Sequence, residues 1–181
     1  MYILKKYFSI IVLAVPILSF AQDKNEELLE WNQNKKLVWA DYKGKPDPSS
    51  DAAASTATYL GIEYYFKNND FSYKITCYFS KDKSWGLAKT DYILGHEQGH
   101  FDIAEIFARK LNKKMKEYKF NRNTYRTELE KIYNDILDEK EKTQNQYDSE
   151  TDYSRKKEQQ ADWLKKINKM LEELVSHSDY H

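Results

Sequence analysis

The sequence has few of the residues on which several common protein classes depend. Its 181 residues include one cysteine, Cys77, which excludes an internal disulfide framework and a cysteine-based zinc cage. Five glycines, no obvious internal repeat and only one long apolar run exclude collagen-like, repeat and multi-spanning membrane proteins. Lysine plus arginine equals aspartate plus glutamate at 29 each, so the chain lacks the basic excess typical of nucleic-acid binders. We therefore expect no nucleic-acid partner.

Glycine and proline are also missing from the second half of the chain. The last glycine is Gly99 and the last proline is Pro48, so residues 100–181 contain neither helix breaker. Apolar residues recur there at steps of three and four, which predicts three helices, with breaks at residues 121–124 and 148–154. The stripes that define these helices include Ile103, Phe107 and Leu111, then Leu129, Ile132 and Ile136, then Trp163, Ile167 and Leu171.

The first half of the chain has the pattern of strands. Residues 58–66 and 71–79 are rich in tyrosine, phenylalanine, isoleucine and threonine, and the polar residues 67–70 separate them, which predicts a hairpin. Residues 37–39 predict a further short strand. Strands followed by helices indicate an α+β fold, with a small N-terminal antiparallel sheet packed on a layer of about three long helices. We expect residues 22–181 to form a single domain.

The N-terminus has the pattern of a cleavable secretory signal. Lys5 and Lys6 precede a short apolar segment at residues 7–20, and small residues stand at positions 19 and 21. An uncleaved membrane anchor is the alternative, but the segment is short for a span and contains Pro16. We therefore predict that residues 1–21 are a signal peptide, that the protein is secreted or periplasmic, and that no stable membrane anchor remains after cleavage.

The motif H-E-x-x-H begins at His96. In a helix, His100 lies about 40° around from His96, so both imidazoles leave one face and can bind one tetrahedral Zn²⁺ ion. Glu97 lies about 100° from His96, beside the metal, where its carboxylate can take a proton from an activated water. The pattern predicts a zinc site with Glu97 as the catalytic base; two solvated or core histidines are the simpler alternative.

A third protein ligand must come from outside this helix. Glu105 and Asp102 lie on other sides of the helix, and we interpret Glu105 as an i,i+4 partner of Arg109. Ile106 stands where a longer form of the motif would place a further ligand. The polar cluster at residues 147–153 is therefore the best source, although a polar turn explains it equally well.

Three blocks of the sequence resemble a family of secreted bacterial proteins of unknown function, described as predicted secreted zinc-dependent proteases. The central block reads LGHEQGHFDIAE at residues 94–105, and the outer blocks are residues 37–46 and residues 147–151 with Gln160 and Trp163. The resemblance implies a zincin-like domain in which His96 and His100 bind the metal and Glu97 is the catalytic base.

The chain departs from that family pattern at one position. Relatives often carry a histidine two residues after the threonine of the last block, and this sequence has Tyr153 there. Asp148, Asp152 or Tyr153 must then complete the site, and we favour Asp148 because carboxylates are ordinary zinc ligands. Tyr147 or Tyr153 is a candidate donor to the oxyanion of the reaction.

Two functions are consistent with these features. The first is a secreted zinc metallopeptidase that hydrolyses peptide or protein substrates with a metal-activated water and Glu97 as general base. The second is a non-catalytic envelope binding module that keeps the scaffold with a weak or degenerate metal site, since fifteen tyrosines favour amphipathic contact surfaces.

Overall fold

The structure is a computed structural model that describes residues 26–67 and 70–180. The predicted signal peptide, residues 1–21, lies outside the described residues. Within them, no helix combines the length and the apolar character that crossing a membrane requires.

A three-stranded antiparallel sheet covers one side of the molecule. It consists of β1 (Leu28–Glu30), β3 (Thr58–Lys67) and β4 (Asp70–Ser80), in the order β1-β4-β3. In the β3–β4 hairpin, Ile62 pairs with Ile75 and Leu60 pairs with Cys77, so alternate residues enter the core. The predicted hairpin is confirmed. Two short strands, β2 (Ala54–Ser55) and β5 (Trp85–Gly86), form a separate antiparallel pair.

The predicted strand at residues 37–39 is wrong. A 3₁₀ turn occupies Trp39–Asp41, because the Val38 amide donates to Asp41 Oδ2 at 3.1 Å and the Asp41 amide donates to the Val38 carbonyl at 2.9 Å. These local bonds satisfy backbone groups that a strand would pair with a neighbour. The turn seats the Trp39 ring against Gly86, where an added Cβ would lie 2.5 Å from a ring carbon.

Three helices form the other layer: α1 (Asp91–Glu117), α2 (Tyr125–Thr151) and α3 (Lys157–Glu173). The side chain of Thr90 caps α1 by accepting a bond from the Ile93 amide at 3.2 Å. The break before α2 is confirmed. The second break begins later than predicted, because α2 continues through Asp148 to Thr151.

The chain leaves α2 only where the backbone becomes left-handed. Asp152, Tyr153 and Ser154 have φ values of 48°, 51° and 69°, which end the helix. Polar residues at 148–151 are compatible with the last helical turn, and Thr151 Oγ1 donates to the Tyr147 carbonyl at 2.7 Å. Polarity alone therefore misplaced the break.

Helix α1 is the centre of the domain, since it contacts the sheet and both other helices. Ile103, Phe107 and Leu111 are completely or almost completely buried, as their spacing predicts. The expected pair also forms, with Arg109 Nε donating to Glu105 Oε1 at 2.7 Å. The α+β class is confirmed, and the most buried helix is the one that contains the H-E-x-x-H motif.

Candidate metal centre

Two histidines of α1 and one aspartate of α2 bring their donor atoms together. His96 Nε2 lies 3.1 Å from Asp148 Oδ1, His100 Nε2 lies 3.0 Å from the same oxygen, and the two imidazole nitrogens are 3.3 Å apart. Among the described residues, these three side chains form the only group of histidine, cysteine, aspartate and glutamate with the spacing of a metal site. Their side chains are 4%, 14% and 25% exposed.

This triangle has the size of one face of a zinc coordination tetrahedron. Ligand atoms about 2.0–2.1 Å from zinc are about 3.3–3.4 Å apart when the geometry is tetrahedral. The observed separations of 3.0, 3.1 and 3.3 Å come close to that value. Two imidazoles and one carboxylate are also a donor set that catalytic zinc sites use, with the fourth position open. The residues present therefore fit zinc.

The charges of the three side chains are coupled. Burial alone lowers the pKa of His100, but the hydrogen bond and the charge of Asp148 outweigh burial and raise it. Burial likewise raises the pKa of Asp148, and the two imidazoles lower it far below its usual range. The positive charge that stabilises this carboxylate is the kind of compensation that a divalent cation would also supply.

Gln144 fixes the orientation of His100. Its Oε1 lies 2.5 Å from His100 Nδ1, and its Nε2 donates to the His100 carbonyl at 2.9 Å. An amide oxygen only accepts, so Nδ1 carries a proton, and Nε2 is the ring nitrogen that faces Asp148 and the proposed metal position. Sequence analysis missed Gln144; its position one helical turn before Asp148 is the signal that could have found it.

Tyr147 lies beneath the two imidazoles. Its completely buried ring stacks on His96 with centroids 4.4 Å apart and meets His100 edge-on at 5.1 Å. Its hydroxyl donates to the His96 carbonyl at 3.2 Å. A Cβ added at Gly99 would lie 2.6 Å from that hydroxyl oxygen, so the glycine admits the ring. This geometry makes Tyr147 a packing support of the site, and the oxyanion role predicted for it has no support here.

Glu97 is buried beside the donor atoms and is held by a hydrogen-bond chain. Thr56 Oγ1 donates to Glu97 Oε2 at 2.6 Å. The Thr56 hydroxyl has one proton, so Tyr42, whose hydroxyl lies 3.0 Å away, is the donor to Thr56. Burial raises the pKa of Tyr42, which keeps that proton in place. In the described part of the chain, Glu97 Oε1 makes no hydrogen bond and stays available.

The other candidates for the third ligand lie farther along the chain, in the left-handed turn. Asp152 ends α2 and its carboxylate lies 3.6 Å from Arg155 Nη1 on the surface. Tyr153 is 58% exposed and lines the cleft described below. Neither joins the group of donor atoms, which contains Asp148. Tyr153 remains a candidate oxyanion donor.

A cleft of about 690 Å³ contains the site. Its walls include residues 52–56, which contain strand β2, and five residues of α2: Tyr133, Leu137, Lys140, Gln144 and Asp148. His96, Glu97 and His100 also line it. Strand β2 pairs with β5 alone among the described strands, so its second edge has no strand partner there.

The comparisons with known proteins give a similarity to one family, over less than half of the chain, and no activity. Residues 80–156 match the model of a family described as bacterial protein of unknown function (DUF922). That range contains His96, Glu97, His100 and Asp148. No match was found among curated proteins or among solved structures. The similarity to a bacterial family of unknown function is confirmed; zinc and proteolysis remain proposals.

Proposed function

We propose that this protein is a secreted or periplasmic zinc-dependent metallopeptidase. One observation carries the proposal: His96, His100 and Asp148 converge with the spacing of a zinc ligand set, and a buried glutamate stands beside them in a cleft. Convergence of donors from two helices distinguishes this arrangement from two histidines that merely share a helix face.

The three donors would hold zinc, and Gln144 would keep His100 in the tautomer that binds it. When bound, zinc supplies Lewis acidity, which activates water and polarises a carbonyl group. Glu97 accepts the proton of the attacking water at its free Oε1, because Thr56 occupies Oε2. The same carboxylate then returns the proton to the leaving amine.

The walls of the cleft suit an extended peptide. The unpaired edge of β2 presents backbone groups on which a peptide can add as a further strand, and residues 52–56 line the cleft beside Glu97. The phenol of Tyr153, which also lines the cleft, can donate to the oxyanion of the reacting carbonyl. These features favour a peptide over a small-molecule substrate.

Glu97→Gln tests the proposal. The variant keeps the size of the side chain and the bond from Thr56, so it should bind zinc as the wild type does. It should not cleave a peptide library, because an amide cannot accept the proton. The measurements are zinc content by atomic emission and cleavage by mass spectrometry, with Glu141→Gln, on the exposed side of the same cleft, as the matched control.

The outcomes separate the two functions. Zinc binding with cleavage by the wild type and by Glu141→Gln, but not by Glu97→Gln, supports the peptidase. A wild type that binds zinc and cleaves nothing supports the non-catalytic binding module. A wild type that binds no zinc contradicts the proposal.

A further inference from the structure

Lys140 is a cation of the cleft for which the proposed mechanism has no use. It is partly buried and lines the cleft, whose described lining includes no other lysine and no arginine. Within residues 26–67 and 70–180, its ammonium makes no hydrogen bond and no ion pair. Burial lowers the pKa of Lys140, which is the signature of a cation with too little compensation.

The surroundings of Lys140 explain why it lacks a partner. Leu60, Tyr133 and Leu137 line the same cleft, and none of them can neutralise an ammonium. Cys77 and Glu141 are the acidic neighbours that act on its pKa. Burial raises the pKa of Cys77, so its thiol stays neutral, and Glu141 is exposed to solvent and is not within ion-pair distance. An anion that entered the cleft would therefore meet a partly desolvated positive charge that has no ion-pair partner.

The distance between Lys140 and the donor atoms of the metal centre determines which residue of a bound peptide could carry such an anion. Lys140 precedes Asp148 by two helical turns on α2, and eight residues at about 1.5 Å each give about 12 Å along the axis. An extended peptide advances about 3.3–3.6 Å per residue, so 12 Å corresponds to roughly three residues. A peptide bound at the metal centre can thus reach Lys140.

We infer that Lys140 is an anion-binding subsite of the cleft, which recognises a carboxylate of the peptide roughly three residues from the scissile bond. This inference rests on the proposed function and adds a substrate class, peptides with a carboxylate at that position. The carboxylate is either the C-terminus of a short peptide or the side chain of an internal aspartate or glutamate.

Three probes distinguish these two sources. They are acetyl-tetraalanine with a free C-terminal carboxylate, the same peptide as its amide, and acetyl-Ala-Ala-Ala-Asp as its amide. Binding is measured by calorimetry to Glu97→Gln protein, which prevents turnover, both with and without zinc. We expect the matching acidic probe to bind about tenfold more tightly than the neutral amide, the scale of one charge-assisted hydrogen bond.

Variants on α2 assign that preference to Lys140. Lys140→Met should abolish it and Lys140→Arg should keep it. Lys142→Met should also keep it, because Lys142 is exposed and does not line the cleft. Lys140→Met should also keep the melting temperature at or above that of the wild type, because it removes a partly buried charge without an ion-pair partner, and that measurement shows that the variant folds.

The outcomes are distinct for the two proposals. Equal or undetectable binding of acidic and neutral probes overturns the subsite. A preference that survives in Lys140→Met also overturns it, since another group, which is zinc if the preference appears only with zinc, then binds the carboxylate. A preference that needs Lys140, in a wild type that loads zinc but cleaves none of the probes or library peptides, supports the subsite and contradicts the peptidase.

Discussion

Two glycines of α1 offer a matched test of how the metal centre is packed. A Cβ added at Gly99 would lie 2.6, 2.9 and 3.0 Å from three atoms of Tyr147, whereas a Cβ at Gly95 would meet nothing within 4 Å. Tyr147 is completely buried, stacks on His96 and contacts Trp163, so its ring has little room to move. Gly99→Ala should therefore displace the support of both imidazoles, and Gly95→Ala should leave it intact.

The magnitudes follow from two opposing effects. Alanine in place of a helical glycine stabilises by about 0.5–1 kcal/mol at either position. Overpacking costs about 1–3 kcal/mol, and only Gly99→Ala incurs it. Gly95→Ala should thus raise the free energy of unfolding by up to about 1 kcal/mol. The free energy of unfolding of Gly99→Ala should be about 1–3 kcal/mol lower than that of Gly95→Ala. At about 2–4 °C per kcal/mol for a chain of this size, the two melting temperatures should differ by several degrees.

Thermal unfolding and zinc titration of both variants give the comparison. Gly99→Ala should also bind zinc about tenfold more weakly, the lower end of the effect of disturbing groups that orient ligands. Adding Tyr147→Phe to Gly99→Ala should recover part of the loss, because it removes the closest atom of the clash. Equal melting temperatures and equal zinc affinities for the two alanine variants would refute the close packing of Tyr147 against α1.

Three further predictions concern the surroundings of the site. Thr56→Val should lower the rate of peptide cleavage, because it removes the hydroxyl that orients Glu97. Thr56→Ser keeps that hydroxyl and should cleave at close to the wild-type rate, and both variants should keep the wild-type zinc content. An equal loss of activity in both variants would contradict this role. Zinc affinity, measured by titration against a chelator, should fall as pH drops through the pKa of His100, which Asp148 raises against the effect of burial. Gln144→Leu should weaken zinc affinity about 10–100-fold at neutral pH. Cys77, whose pKa burial raises, should react with a thiol reagent at pH 8 only after unfolding, so rapid labelling of the native protein would contradict its burial.

Periodicity was enough to predict most of the fold. The alternation of apolar residues in 58–66 and 71–79 corresponds to β3 and β4, and the helical stripes correspond to α1, α2 and α3. The secondary-structure predictions failed where local hydrogen bonds or backbone conformation outweigh the pattern of apolar and polar residues. Asp41 turns residues 39–41 into a 3₁₀ turn, and the left-handed residues 152–154 set the end of α2 four residues beyond the end that polarity suggested.

The residues of the site were likewise predicted only in part. The i,i+4 spacing placed His96 and His100 on one face because a helix has a fixed period. Asp148 was one of three alternatives, since the choice depends on where α2 ends and which face it turns to α1. Gln144, Thr56 and Tyr42 act through contacts between elements that are far apart in sequence, such as 44 residues for Gln144 and His100. No local pattern encodes such contacts.

The most direct measurement is zinc content at neutral pH after dialysis, for the wild type and for the pair Asp148→Ala and Asp152→Ala. If the donors of α1 and α2 form one metal centre, the wild type and Asp152→Ala should each retain close to one zinc ion per chain, and Asp148→Ala should lose it. A wild type without zinc, or zinc that persists in Asp148→Ala and disappears from Asp152→Ala, would contradict that claim.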